Sequence, residues 1–176
     1  IALDIGSNYE NVVYGGAGVH QFWPSDNFIV GEGEYALREF LRGNEYKNFT
    51  QIEDLNILPI PDYTDQINDN TNELVVTGSR GCVRNCTFCD VASIWPKYRW
   101  VDGKKLAENM HAVCEQTGIY KISFSDSLVN GSMKHFRELV KELASRPKKI
   151  RWNGQFIARK RNSFSQEDFD NLLNSG

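Results

Sequence analysis

Apolar positions along the chain fall into short runs separated by glycine, proline and polar stretches. Residues 11–16 (NVVYGG) are an apolar run closed by paired glycines, which predicts a buried strand entering a tight turn. A second run, residues 27–30, leads into Gly31-Glu32-Gly33-Glu34. Tyr35, Ala36, Leu37, Phe40 and Leu41 then recur at near-helical spacing, and Gly43 supplies a helix stop. Acidic groups at the start of that helix complement its dipole. Residues 44–72 sustain no period and are interrupted by Pro59 and Pro61, which predicts a linker.

From residue 73 the pattern becomes regular. Residues 73–77 (ELVVT) read as a strand, followed by a loop that begins Gly78-Ser79-Arg80-Gly81. Leu106, Met110, Val113 and Cys114 share one face of a helix over residues 102–117, with Gly118 as its C-cap. Tyr120, Ile122 and Phe124 alternate as in a strand. Met133, Phe136, Leu139, Val140 and Leu143 line a helix over 132–146 that Pro147 closes. A third strand is predicted over 150–156. A last helix follows over 165–174, with Ser165 as N-cap and Phe169, Leu172 and Leu173 inward. Strands alternating with such helices predict a parallel sheet with right-handed crossovers. About three repeats fit, where a closed eight-fold barrel takes about 250 residues. The expected division is 1–43, a linker at 44–72, and 73–176. A start without Met and a stop directly after a helix predict a piece cut at both ends.

Composition narrows the class. The 176 residues are 40% hydrophobic, 12% aromatic and 24% charged, enough to build a core and too apolar for wholesale disorder. No run of about 18 apolar residues predicts a membrane span, and no basic stretch followed by an apolar one predicts a secretory leader. The expected location is therefore cytoplasmic. Charge is uneven: residues 1–74 carry 3 Lys+Arg against 13 Asp+Glu, whereas 75–176 carry 17 against 10. Such a change of sign predicts two units with different surfaces.

The chemistry concentrates in residues 80–90 (RGCVRNCTFCD), where Cys82, Cys86 and Cys89 are spaced C-x3-C-x2-C. Clustered thiols suit metal chemistry in a reducing compartment better than a disulfide framework. Four thiolates saturate a cubane iron–sulfur cluster, so three leave one iron without a protein ligand. An open metal position is where catalysis happens. Arg80 and Arg84 favour thiolate over thiol. The trio is expected to face one common centre. Two other readings stay open: a zinc-stabilised binding module completed by Asp90 or Cys114, and an iron–sulfur electron-transfer protein. The basic residues from Arg146 to Arg161 leave RNA open as a partner of such a module, although no aromatic RNA-binding motif accompanies them.

The spacing with Phe88 before the last cysteine resembles the signature of radical S-adenosylmethionine (radical SAM) enzymes. Residues 77–90 (TGSRGCVRNCTFCD), then Trp95 and Lys97-Tyr98-Arg99, resemble the core of the cobalamin-binding-domain members of that superfamily. Residues 15–20 (GGAGVH), 31–34 (GEGE) and 59–63 (PIPDY) resemble the end of their cobalamin-binding domain and its linker. The resemblance implies an α/β chain: the C-terminal part of a Rossmann-like domain, then the first half of a partial (β/α) TIM-like barrel. It implies that Cys82, Cys86 and Cys89 hold a [4Fe-4S] cluster and that S-adenosylmethionine chelates the fourth iron. An electron from a flavodoxin- or ferredoxin-like donor then cleaves the sulfonium and yields a 5′-deoxyadenosyl radical. Methyl transfer, methylthiolation and rearrangement all remain open, and no catalytic residue is assigned.

Further contacts follow from the same resemblance. Phe88 is expected near the adenine, Asp126 and Ser127 at the methionine ammonium, and Asn153 and Arg159 at ribose or carboxylate. Each has a plainer alternative: Asp126 as a turn cap, and Arg159 as part of a solvated basic run with Lys160 and Arg161. The cobalamin motif Asp-x-His-x-x-Gly does not occur, since Gly18 precedes His20 by two and Trp23 follows it by three. Cobalamin is therefore left open, and His20 is expected to pack in its loop. His111 and His135 are expected at the surface or its boundary, and Cys114 in the core.

Overall fold

The computed structural model describes residues 12–16, 28–46, 51–68, 70–160 and 163–176. The chain divides into two compact units, Ile1–Glu53 and Asp54–Gly176. Both are mixed α/β and contain parallel strand pairs.

In the first unit, β1 (Tyr14–Gly15) pairs in parallel with β2 (Phe28–Ile29), and α1 spans Gly33–Leu41. Asn11 and His20 lie outside the described residues. Of the apolar positions expected to face inward on α1, Ala36 is buried, whereas Tyr35, Leu37 and Leu41 are exposed. A buried charge needs a donor. Glu32, buried just before α1, accepts the backbone N–H of Ile52 at 2.6 Å.

The second unit is built on a three-stranded parallel sheet in the order β3 (Leu74–Val76), β6 (Lys121–Phe124), β7 (Arg151–Asn153). Between β3 and β6 come β4 (Ser79–Arg80), the short helix α2 (Val91–Ile94), β5 (Arg99–Trp100) and α3 (Gly103–Thr117). Helix α4 (Met133–Ser145) connects β6 to β7, and α5 (Gln166–Asn174) ends the chain. The three parallel strands do not close into a barrel. Residues 54–68, inside the expected linker, pack on this unit. Asn56 accepts from the Asp102 N–H at 2.8 Å, and Gln116 donates to Asp62 at 2.9 Å. With the boundary after Glu53, the units carry 3 Lys+Arg against 8 Asp+Glu and 17 against 15. Much of the expected contrast in charge thus falls inside the second unit.

One face of the sheet carries the core. Leu74, Val76, Ile122 and Phe124 meet Leu106, Met110 and Val113 of α3 and Phe136, Leu139 and Leu143 of α4 among the enclosed side chains. Gly118 caps α3 with φ 75°, a left-handed conformation that glycine adopts without strain. Ser132 caps α4, its Oγ accepting from the His135 N–H. Cys114 is fully enclosed, and burial pushes its thiol up to about 11.

The structure corrects three details of the pattern. Strand β7 stops at Asn153, not at 156. A Cβ on Gly154 would lie 2.6 Å from Val129, and Phe156 turns away to pack on Phe136, ring centroids 5.6 Å apart. Helix α5 is rotated from its expected orientation: Leu173 is 80% exposed and Phe169 49%. Its capping box joins Ser165 to Asp168, and Asp168 must also reach Arg137 on α4 at 2.9 Å, so the buried face is the one bearing Asp168. His111 and His135 are buried, not peripheral. Helix α3 is enclosed by α4 as well as by the sheet, and Trp100 packs against His135. Burial holds the His135 imidazole neutral, pushed down to about 4.

At Gly103, helix α3 runs close against the backbone of α4. An added Cβ there would lie 2.4 Å from the His135 carbonyl oxygen and 2.6 Å from the Leu139 nitrogen. Backbone cannot step aside as a flexible side chain can. Gly103→Ala is therefore expected to destabilise the protein by about 1–3 kcal/mol despite alanine's better helix propensity, as measured by urea unfolding.

Candidate functional site

The cysteine loop emerges at the C-terminal end of β3. It is the long excursion of a hairpin, whose antiparallel rungs pair Ser79 with Trp100 and Arg80 with Arg99. Just inside those rungs Gly81 has φ 86°, and an added Cβ would lie 2.6 Å from the Lys97 carbonyl oxygen. Only glycine lets the two arms approach so closely. The loop is thus pinched at its root.

Within the loop, Cys82 is half-buried while Cys86 and Cys89 are exposed, and all three are free thiols. The Arg84 N–H donates to the Cys82 sulfur at 3.4 Å, and the Cys89 N–H to the Cys86 carbonyl at 3.1 Å. Phe88 is 90% exposed. The expected convergence of the trio is not found. Among the described residues, no three His, Cys, Asp or Glu side chains form a group that could hold a metal. Free thiols on a turn have no mutual attraction to gather them, so convergence has to come from a bound metal. By chemistry the donor set fits a thiolate-ligated iron–sulfur cluster. It fits zinc less well, because Cys114, which could supply a fourth sulfur, is sealed in the core.

The root of the loop is held by its neighbour strand. Asp126, just beyond β6, is buried. Its Oδ1 accepts from the Gly78 N–H at 2.8 Å and its Oδ2 from the Ser79 hydroxyl. A Cβ at position 78 would lie 2.5 Å from the Leu106 Cδ2 methyl, which would have to shift to admit it. Burial pushes the Asp126 carboxyl up to about 6, against the hydrogen bonds from Ser79 and Gly78 that pull it down. Asp126 therefore spends both oxygens on the turn before the cysteines.

Arg159 is also committed. Its guanidinium donates to the carbonyls of Asn130 and Gly131, in the segment after β6. Asn130 exchanges two 3.0 Å hydrogen bonds with the backbone of Ile157. Ser127 is half-buried at the end of β6. Asn153 lies on the sheet face opposite the helices. It accepts from Ser123 at 2.9 Å and donates to Glu73 at 2.9 Å, and Lys121 pairs with Glu73 at 3.2 Å. The structure brings Asp126 to the base of the cysteine loop. It joins Arg159 to the segment that carries Asp126 and Ser127, and it sets Asn153 apart on the open face. Sequence reasoning missed Tyr98 and the β4–β5 ladder. The signal was there in Arg99-Trp100 after the loop and in the glycines at 81 and 131.

No protein-family model matches the chain, and no solved structure matches it. The anaerobic magnesium-protoporphyrin IX monomethyl ester cyclase of Cereibacter sphaeroides is 29% identical over 76 residues, 42% of this chain and 12% of that protein. The chain thus spans about an eighth of the length of that relative. The likeness is distant and supports the radical SAM resemblance at superfamily level only.

The clasp carries a pH dependence. Folding holds the Asp126 proton more tightly than the unfolded chain does, so stability falls as pH rises from the ordinary carboxylate range through about 6. Asparagine can accept from Gly78 and donate to Ser79 at any pH. Unfolding measured from pH 4 to pH 7 is expected to show the wild type losing about 2 kcal/mol relative to Asp126→Asn, at about 1.4 kcal/mol per pKa unit.

Proposed function

We propose that this chain carries the cluster loop of a radical SAM enzyme, with Cys82, Cys86 and Cys89 as the three protein ligands of a [4Fe-4S] cluster and S-adenosylmethionine on the fourth iron. One observation carries the reading: three thiols and no fourth, on a pinched loop at the C-terminal edge of a parallel β/α sheet. That edge is where active sites of such sheets lie. The similarity to the Cereibacter cyclase supports an enzyme of this kind and carries over no substrate. When bound, the cluster supplies an electron that cleaves the sulfonium of S-adenosylmethionine, giving a radical that abstracts hydrogen from a substrate.

The chain's own residues divide the remaining work. Phe88, projecting into solvent, is free to lie against the adenine. Ser127 stands at the end of β6, where the methionine part would be held. Asn153 stands on the helix-free face, its side chain already joined to Glu73 and Ser123. Asp126 and Arg159 serve by holding the backbone around the site: both Asp126 oxygens accept from the turn before the cysteines, and one guanidinium nitrogen of Arg159 donates to the carbonyls of Asn130 and Gly131. No described residue is assigned to cobalamin.

Anaerobic reconstitution of the full chain with iron and sulfide tests the proposal. The protein is expected to turn brown and to absorb near about 400 nm, the region of thiolate-to-iron charge transfer. Cys82, Cys86 and Cys89 should become protected from alkylation, and Cys82→Ala should lose most of the colour. Added S-adenosylmethionine should change the paramagnetic resonance spectrum of the reduced cluster. Colourless protein retaining one equivalent of zinc would support the zinc-stabilised module in its place.

A further inference from the structure

Both arms of the cysteine loop end on a single backbone carbonyl. On the incoming arm, the Ser79 hydroxyl lies 3.2 Å from the Leu128 oxygen and also contacts Asp126. On the outgoing arm, the Tyr98 hydroxyl donates to the same Leu128 oxygen at 3.1 Å. A carbonyl has two lone pairs, so it can serve both. A hydroxyl has one proton. While Asp126 is ionised, Ser79 gives that proton to the carboxylate, and Tyr98 alone supplies the Leu128 carbonyl.

The Tyr98 ring has a fitted seat. A Cβ on Gly131 would lie 2.3 Å from the ring, so glycine at 131 leaves the space that the ring occupies. Trp100 packs beside it, ring centroids 5.6 Å apart. The seat is itself fixed, because Arg159 and Asn130 tie residues 130–131 to the chain after β7. The outgoing arm is therefore anchored to a segment held by two neighbouring strands.

We propose that Tyr98 is a positioning residue for the cysteine loop: its hydroxyl, on the Leu128 carbonyl, holds the outgoing arm against the segment after β6 and so fixes the frame from which Cys82, Cys86 and Cys89 reach a metal. The importance of that frame for the reaction rests on the radical SAM reading; the anchoring itself does not. Tyr98→Phe removes only the hydroxyl and keeps the ring in its seat.

Amide exchange on the metal-free full chain is the deciding measurement. In Tyr98→Phe, exchange across residues 81–97 is expected to quicken about five-fold, the effect of one net hydrogen bond, with α3 and α4 unchanged. Ser79→Ala should loosen the same residues from the other arm. After reconstitution, Tyr98→Phe should alter the paramagnetic resonance spectrum of the reduced cluster and lose iron to a chelator about three-fold faster or more, while its melting transition stays close to wild type. Unchanged exchange over 81–97, or an equal rise through α3 and α4, would overturn the proposal. A wild type that takes up no cluster would sink the radical SAM reading alone, since the exchange comparison needs no metal.

Discussion

A carboxylate taken out of water has to be given donors, and Asp126 finds them on the turn that opens the cysteine loop. Its two oxygens hold the Gly78 N–H and the Ser79 hydroxyl, one residue and two residues beyond the end of the strand-like run 73–77. The energetics are finely set. Desolvation penalises the charge, and the two hydrogen bonds offset part of that penalty, leaving the carboxyl titrating near 6. A charge held on such terms specifies geometry more than it adds stability. Remove the clasp and the two parallel strands still pair, but the turn between β3 and the cysteines loses two buried hydrogen bonds to Asp126.

Rigidity and freedom are placed in sequence along the loop. The root is fixed three ways: by the β4–β5 rungs, by the close approach at Gly81, and by the contacts to residues 126–131. The tip, with Cys86, Phe88 and Cys89, has few contacts and lies in solvent. Uncoordinated thiols have no attraction to hold them together, so a loop that forced them into one cluster without metal would carry an entropic penalty. Fixing the root shortens the free segment and lowers the entropy lost when the tip closes. This division accounts for sulfurs that do not converge in a loop whose donor chemistry suits a cluster.

Much of the second unit was legible because its helices and strands obey simple periods. Leu106, Met110 and Val113 mark α3, Ile122 and Phe124 mark β6, and Ser165 with Asp168 spells a capping box. What could not be read were features set by long-range contact. Nothing local says that Gly154 meets Val129, so the end of β7 was placed too late. Apolar residues alone misled on α5, because the ion pair between Asp168 and Arg137 sets its rotation. Histidine is ambiguous by composition, and only the double cover of α3 buries His111. The cysteine spacing disclosed the donor set. It could not disclose Leu128, whose contribution is a backbone carbonyl and leaves no mark on residue identity.

The two faces of the sheet differ in chemistry. Strands buried on both faces read as continuous apolar runs. Here they alternate, and the helix-free face carries Glu73, Lys121, Ser123, Arg151 and Asn153, with Val75 55% exposed. Those polar groups are not loose: Glu73 pairs with Lys121 and accepts from Asn153, which in turn accepts from Ser123. The same three strands thus present an apolar side that secures the fold, a polar side joined by its own hydrogen bonds, and between them an edge from which the cysteines project.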